Sequence, residues 1–278
     1  MKIEFVKMQA TGNDYIYIDC FKQKIENPEK LAVEMSVRRF SVGSDGVILV
    51  MPSSVADGRM RMFNADGSEG KMCGNGIRCV AKFLYDHGYA KKDTLSVETA
   101  SGIKTIKLKI ENGQCIGATV DMGKASFNQK DIPVLFENEV TETTIGSFAY
   151  TCVSMGNPHA VCFTKNIENL DIKTPGEFLQ NSPLFPQSVN VEFCEVADGR
   201  LKMRVWERGS GETLACGTGA CASVAAAVKT RRLPYDTEIK VSLRGGDLFI
   251  TCDRDYNITM TGEAKTVYGG IYELKDKN

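Results

Sequence analysis

The chain has 278 residues, with 34 lysines and arginines against 35 aspartates and glutamates, which gives a formal net charge of -1. This balance gives no reason to expect nucleic acid or an anionic membrane surface as a partner. The apolar fraction of 42% contains no run near the eighteen residues that a membrane-spanning helix needs, and no signal peptide is evident at the N-terminus. We therefore expect a globular, cytoplasmic protein that is long enough for two domains.

The first half begins with a strand-like segment and a Gly12-Asn13 turn, followed by further strand-like segments. It then reaches Glu69 and the loop Cys73-Gly74-Asn75-Gly76. Apolar residues follow at i, i+3, i+4 and i+7, a spacing that predicts a helix: Ile77, Val80, Ala81 and Leu84. Cys73 is thus expected where a glycine-rich turn opens a helix.

The second half repeats this order. Gly156-Asn157 lies 144 residues after Gly12-Asn13, while Glu212 and Cys216 lie 143 residues after Glu69 and Cys73. The loop Cys216-Gly217-Thr218-Gly219 again precedes a helical apolar pattern: Cys221, Val224, Ala225 and Val228. Recurrence of several features in one order predicts two similar domains.

Strand-like patterns outnumber helical ones. Alternating apolar positions run through Thr94 to Val120 and through Glu238 to Met260, and the domain boundary is expected near Thr119 to Gly123. We expect an N-terminal domain of residues 1–118, to which residues 263–278 return, and a C-terminal domain of residues 119–262. The active site is expected in a cleft between them.

The two loops suit proton transfer at an α-carbon. A helix N-terminus favours a thiolate and binds a carboxylate through its free N–H groups. Inversion of an α-carbon needs a base on one face and an acid on the other, and two thiols can exchange these roles. For one loop alone, a structural cysteine in a helix-starting turn is an equal alternative; the duplication argues against it.

Other polar residues surround this pattern. His159 follows a tight turn and is a candidate for tuning a thiol, while Glu207 and Arg208 offer opposite charges to a zwitterion. Asn64 lies before the first loop, and Asn190 is a polar residue inside a strand-like run. With two distant histidines and no Cys-x₂₋₄-Cys spacing at the loops, we expect no metal, and no motif implies a cofactor.

Six segments in order resemble the diaminopimelate epimerase family, over essentially the whole chain: Thr11 to Asp14, Phe63 to Ser68, Met72 to Arg78, Met155 to His159, Val189 to Val191, and Trp206 to Cys221. The resemblance implies an α/β fold of the α+β type, with two similar domains that each have a β-barrel-like mixed sheet around a central helix. It also implies interconversion of LL- and meso-2,6-diaminopimelate, for lysine and peptidoglycan synthesis, without pyridoxal phosphate.

By this resemblance, Cys73 and Cys216 are the acid/base thiols, and His159 and Glu207 adjust their ionisation. The implied substrate contacts are Asn13, Asn64, Gly74, Asn75, Asn157, Asn190, Glu207, Arg208, Gly217 and Thr218. Tyr268 resembles a tyrosine at the family's dimer interface, so a homodimer is expected. Gly46 departs from the pattern, because some members carry glutamine there.

Two alternatives stay open. A proline or hydroxyproline racemase of the same architecture would need no recognition of a second amino-acid end. A thiol-redox or binding protein would instead form a reversible disulfide between Cys73 and Cys216.

Overall fold

The computed structural model describes residues 2–274. Within them are four α-helices: α1 (Pro28–Ser36), α2 (Gly74–Asp86), α3 (Lys173–Gln180) and α4 (Gly217–Lys229). The strands are β1 (Lys2–Ala10), β2 (Asn13–Asp19), β3 (Gly46–Met51), β4 (Gly58–Asn64), β5 (Glu69–Gly70), β6 (Thr94–Thr99), β7 (Gly102–Glu111), β8 (Gln114–Lys124), β9 (Thr143–Ile145), β10 (Phe148–Ser154), β11 (Pro158–Phe163), β12 (Asn190–Ala197), β13 (Arg200–Glu207), β14 (Gly211–Thr213), β15 (Glu238–Leu243), β16 (Gly246–Cys252), β17 (Asn257–Glu263) and β18 (Lys265–Glu273).

The chain divides into two compact units. One comprises the residues up to Val120 together with those from Gly262 onward, and the other comprises Asp121–Thr261. The domain limits of 118 and 262 inferred from the sequence stay predictions. Residues 275–278 of the expected C-terminal return lie outside the described residues.

Both units repeat one strand order. In the first, β1 pairs with β2 antiparallel, β2 with β3 parallel, β3 with β4 antiparallel, and β4 with β6 parallel. In the second, β10, β11, β12, β13 and β15 follow with the same sequence of directions. The prediction of two similar mixed-sheet domains is therefore confirmed. Among the described residues no pairing joins β18 to β8, so the first sheet is open rather than a closed barrel.

One helix forms the centre of each unit. Helix α2 packs against β1, β2, β3, β4, β6 and β7, and α4 packs against β10, β11, β12, β13 and β16. The apolar residues that predicted these helices are all buried, because the sheet surrounds each helix: Ile77, Val80, Ala81 and Leu84 in α2, and Cys221, Val224, Ala225 and Val228 in α4. Sheet and helix thus bury one another, and each helix N-terminus is held in a fixed place.

No helix among residues 2–274 is long and apolar enough to cross a membrane.

Candidate active site

Cys73 is the N-cap residue of α2. Its backbone is extended, with φ -131° and ψ 120°, and its Sγ accepts a hydrogen bond from the Gly76 N–H at 3.3 Å. An N-cap side chain normally accepts such a bond through oxygen. Here sulfur takes that place, so the thiol lies at the positive end of the helix dipole, where negative charge is favoured.

Asn13 contacts the Cys73 thiol directly. It opens β2, and its Oδ1 accepts a hydrogen bond from Cys73 Sγ at 3.4 Å. Its Nδ2 donates to Asp45 Oδ2 at 2.8 Å, and Arg38 in turn binds Asp45 at 2.9 Å. The contact with Asp45 therefore fixes the orientation of the Asn13 amide, with its Oδ1 toward the thiol.

The first turn of α2 contains a buried cation that sequence reasoning did not single out. Arg78 is 0% exposed, and its guanidinium donates to Asn75 Oδ1 at 2.9 Å, to Gly74 O at 3.2 Å and to Thr11 Oγ1 at 3.0 Å. The Oδ1 of Asn75 is consequently occupied by Arg78 inside the protein. The backbone N–H groups of Gly74 and Asn75 have no partner within α2.

Asn64 ends β4 and is half-buried, with its Nδ2 donating to Ser68 Oγ at 3.0 Å. It pairs across the sheet with Gly46, whose φ is +157°. A Cβ on Gly46 would lie 2.0 Å from the Phe63 carbonyl oxygen and 2.8 Å from the Tyr15 ring. The backbone at this position therefore leaves no space for the glutamine that some family members carry.

Cys216 repeats the geometry of Cys73 at the start of α4. Its backbone has φ -124° and ψ 110°, and its Sγ accepts the Gly219 N–H at 3.4 Å. Burial raises the pKa of the Cys216 thiol well above its usual range, and repulsion from Glu207 and Glu192 adds to this. Cys216 is therefore a neutral thiol at pH 7.

A series of hydrogen bonds leads away from Cys216. Thr218 Oγ1 lies 3.5 Å from Cys216 Sγ and accepts a hydrogen bond from Asn157 Nδ2 at 3.3 Å. Asn157 Oδ1 lies 3.0 Å from Nε2 of His159, and Nδ1 of His159 lies 2.7 Å from Glu192 Oε1. His159 and Glu192 are both 0% exposed. The turn before β11, the strands β11 and β12, and helix α4 each contribute to this series, which meets at the first turn of α4.

Glu207 lies at the end of β13, beside this series. Its Oε1 accepts a short hydrogen bond from Thr213 Oγ1. Burial raises the pKa of the Glu207 carboxyl, while hydrogen bonds from Thr213 and Cys216 act in the opposite direction. A carboxyl group next to the Cys216 thiol makes ionisation of that thiol costly.

Asn190 uses its side chain to fix backbone. Its Nδ2 donates to Pro158 O at 3.0 Å, and its Oδ1 accepts the Arg208 N–H at 2.9 Å. Arg208 is exposed and donates through Nη1 to Gln187 O at 2.8 Å. The amide of Asn190 thus holds the segment that carries Arg208.

The structure gathers the predicted residues into two groups, one at each helix N-terminus. The first contains Asn13, Cys73, Gly74 and Asn75, and the second contains Asn157, His159, Glu207, Cys216, Gly217 and Thr218. Tyr268 belongs to neither group: it lies on β18, is 45% exposed and makes an edge contact with Phe5.

Sequence reasoning missed Arg78 and Glu192. Glu192 lies two residues beyond Asn190 along β12 and therefore on the same face of the strand. The alternation of side chains along a β-strand could have indicated Glu192 from the sequence. Arg78 follows Ile77 in the apolar pattern of α2, and nothing in the sequence distinguishes it from a surface arginine.

In residues 2–274 no group of three or more His, Cys, Asp or Glu side chains is placed to hold a metal ion.

Comparison with known proteins identifies the family. The "Diaminopimelate epimerase" family model matches residues 5–128 and 151–267. The diaminopimelate epimerase of Desulfovibrio desulfuricans is 48% identical over 285 residues, covering 98% of this chain and 99% of that protein. Among solved structures, a phenazine biosynthesis protein of the PhzF family from Bacillus anthracis aligns with a TM-score of 0.74 at 20% identity, covering 99% of this chain and all of that one. A probable proline racemase from Agrobacterium radiobacter aligns with a TM-score of 0.72 at 16% identity, covering 99% and 93%. The structural similarities show a shared fold, and the family match and sequence identity show that this chain belongs to the diaminopimelate epimerase family.

Proposed function

We propose that the protein interconverts LL- and meso-2,6-diaminopimelate, with Cys73 and Cys216 as the two acid/base groups. The observation that carries this proposal is the duplicated cap: each thiol sits at a helix N-terminus and accepts the N–H of the residue three positions on. Membership of the diaminopimelate epimerase family supports the choice of substrate.

Each turnover needs one thiolate and one thiol at its start. A thiolate on one face of the α-carbon takes the proton and becomes a thiol, while the electron pair of the broken C–H bond moves onto the carboxylate. The opposite thiol then gives its proton to the carbon and becomes a thiolate. Because burial raises the pKa of the Cys216 thiol, we assign the resting thiol to Cys216. Proton removal then falls to Cys73, which must first lose the proton that its Sγ donates to Asn13 Oδ1 in this structure. Both proton transfers are made by the protein, so the proposal requires no cofactor.

The helix N-termini supply the stabilisation that a carbanion needs. The first N–H groups of α2, at Gly74 and Asn75, and of α4, at Gly217 and Thr218, have no partner within their helices. Such groups bind a carboxylate and favour the negative charge that develops on its oxygens during proton removal. Fixed donors of this kind need no reorganisation as the charge develops.

The remaining polar residues are proposed to select the substrate. Arg208 offers an exposed guanidinium for a carboxylate, and Asn64 is half-buried at the end of β4. Asn13 and Asn157 have both ends of their amides hydrogen-bonded, so we propose that each exchanges one of these bonds for the substrate. Asn190 has both ends of its amide bound to backbone, so we propose that it acts by holding Arg208 in place. A substrate with two amino-acid ends uses more of these groups than proline does.

Two further properties belong to the proposal. We propose a homodimer that uses Tyr268, which is exposed on a strand with other exposed apolar side chains, Val267 and Ile271. We also propose a cytoplasmic location, consistent with an enzyme of amino-acid biosynthesis. Size-exclusion chromatography with light scattering tests the dimer, and Tyr268→Ala is expected to shift it toward monomer.

The activity is tested by incubating the reduced protein with LL-diaminopimelate and following meso product by chiral chromatography. L-Proline in a parallel incubation tests the rival racemase. We expect meso-diaminopimelate to form and proline to stay unchanged. Racemised proline without any meso-diaminopimelate would replace the proposal with its rival.

A further inference from the structure

Glu192 is a buried carboxyl at a position where the first unit has an apolar residue. Its Oε1 lies 2.6 Å from where a Cβ on Gly219 would be, directly behind the first turn of α4. In the first unit, Ile48 takes the equivalent place: its Cδ1 lies 2.8 Å from where a Cβ on Gly76 would be. Offsets of 144 residues separate Ile48 from Glu192, and 143 separate Gly76 from Gly219. One fold position thus holds isoleucine in one unit and a buried carboxyl in the other.

The carboxyl of Glu192 is costly where it lies. The residue is 0% exposed, and its Oε2 is buried with no hydrogen-bond partner among the described residues. Burial of a carboxyl with one oxygen unsatisfied destabilises a protein. Since an isoleucine fits the same place in the first unit, stability does not account for Glu192.

The hydrogen bonds around His159 specify where its protons are. Asn157 Nδ2 donates to Thr218 Oγ1, so it is the carbonyl oxygen of Asn157 that faces Nε2 of His159. A carbonyl oxygen cannot donate, so in this amide orientation the proton of the hydrogen bond lies on Nε2. On the other side of the ring, Nδ1 faces the carboxyl of Glu192 at 2.7 Å, with one proton between the two atoms. Both ring nitrogens thus face oxygens that can accept a hydrogen bond.

The direction of the series follows from these donors. His159 donates to Asn157, and Asn157 donates to Thr218. The Thr218 hydroxyl accepts that bond, which leaves its own hydrogen for Cys216 Sγ at 3.5 Å. A donor aimed at sulfur stabilises the thiolate that Cys216 must become in each catalytic cycle.

We propose that Glu192 is a positioning residue: as the counterion of His159 it keeps both ring nitrogens protonated, and this directs the hydrogen bonds through Asn157 and Thr218 toward Cys216. The inference rests on the proposed acid/base role of Cys216. It adds to that role the residue Glu192 and the direction in which the hydrogen bonds are donated. The Glu192 carboxylate also repels a thiolate at Cys216 directly, so the effect of the hydrogen bonds through Asn157 and Thr218 has to be separated from this repulsion by experiment. The other titratable groups facing this series are Glu207 on β13, Cys152 on β10 and Cys194 on β12. Burial raises the pKa of Cys152 to about 12 and raises that of Cys194 as well, so both stay neutral near pH 7.

Nitrogen-15 NMR of histidine-labelled protein tests the proton positions without substrate. The chain has two histidines, His87 and His159, so a His87→Gln variant assigns the spectrum. We expect both ring nitrogens of His159 to be protonated near pH 7.5. A His159 ring with an unprotonated Nε2 would overturn the proposal.

Two substitutions test Glu192 itself. Glu192→Gln keeps the shape, and Glu192→Ile installs the residue that the first unit uses, so at least one folded variant is expected. In both, His159 should lose one ring proton at the same pH, because its counterion is gone. Glu195→Gln, on the same strand but outside the series, should leave the spectrum of His159 unchanged. An unchanged His159 in both Glu192 variants would contradict the role of Glu192.

Alkylation of Cys216 by iodoacetamide, followed by peptide mass spectrometry against pH, tests the far end of the series. Thr218→Val removes the donor to sulfur and should raise the pH midpoint for Cys216 by about one unit. Glu192→Gln removes both the direct repulsion and the series of hydrogen bonds, whereas in the Thr218→Val background it removes the repulsion alone. The shift of the midpoint caused by Glu192→Gln should therefore be more positive with Thr218 present than in the Thr218→Val background. Equal shifts in the two backgrounds would show that the effect of Glu192 bypasses Thr218 and would overturn the proposal, while this assay and the NMR assay stay informative if meso-diaminopimelate formation fails.

Discussion

The two cysteine-capped helices are alike in backbone and unlike in charge. Both are thirteen residues long, both begin after an extended cysteine, and both direct the N–H of the third residue at sulfur. Beyond the first turn they differ. A buried guanidinium, Arg78, binds the first turn of α2, whereas two carboxyl groups, Glu207 and Glu192, lie near Cys216 at α4.

The same contrast appears in the paired strands behind each helix. Tyr15 faces Gly46 across β2 and β3, and His159 faces Asn190 across β11 and β12, with an offset of 144 residues in both cases. The polar series to Cys216 therefore uses different residue types from the series in the first unit, which leads from Cys73 through Asn13 and Asp45 to Arg38. A repeated fold can thus hold two thiols in one backbone geometry while the charged side chains around them differ.

The largest expected effect comes from removing either thiol. Cys73→Ser and Cys216→Ser should each lower kcat by about 10³-fold, since a positioned acid/base group contributes about 10²–10⁴-fold. The measurement is steady-state epimerisation in both directions. Cys20→Ser, a half-buried thiol outside both loops, is the matched control and should keep full activity. Full activity in either loop variant would remove the distinction between these thiols and the other eight.

Gly46 offers a test of backbone constraint in the first unit. Gly46→Ala should destabilise the protein by about 3 kcal/mol, because its Cβ would meet the Phe63 carbonyl in addition to the positive-φ penalty. Gly102→Ala is the control, since Gly102 also has positive φ but open space around it, and a loss of about 1 kcal/mol is expected. Urea unfolding measures both. Equal losses would mean that the contact with Phe63 carries no energy.

Arg78 tests the buried cation of α2. Arg78→Met should lower the free energy of unfolding by about 2 kcal/mol, because buried acceptors at Gly74, Asn75 and Thr11 lose their donor. Arg61→Met breaks a partly exposed ion pair with Glu69 and should cost less than about 1 kcal/mol. Thermal unfolding of both variants decides whether burial makes the difference.

The smallest expected effect concerns pH. Because Glu207 raises the pKa of Cys216, Glu207→Gln should lower that pKa and move the alkaline limb of the kcat/KM profile to lower pH, by about one unit. Cys216 must be a neutral thiol in the resting enzyme. If its pKa is lower, it loses its proton at a lower pH, and the rate falls at a lower pH. Glu195→Gln is the control. A limb that moves to higher pH would mean that Cys216 is not the resting thiol.

Several features were predictable from the sequence because they depend on local pattern. Cysteine, glycine and the helical apolar spacing are adjacent in the chain, and repetition at 143–144 residues made both caps visible. Arg78 and Glu192 were not predictable in the same way. Their roles depend on burial and on partners from distant segments of the chain, such as Thr11 for Arg78 and His159 for Glu192, and no local pattern predicts those contacts. The hydrogen bonds of the Asn190 side chain to the backbone of Pro158 and Arg208 were likewise not predictable without the fold.

The central claim, that two thiols act in turn on one α-carbon, is tested most directly by the position of deuterium. LL-diaminopimelate is incubated with the enzyme in D₂O and stopped at low conversion, and the α-carbons of substrate and product are examined by NMR. If the donating thiol exchanges with solvent, the meso product should carry one deuterium at the inverted carbon while the remaining LL substrate carries essentially none. Deuterium appearing equally fast in the recovered LL substrate would mean that one group both removes and returns the proton, and would contradict the two-thiol account.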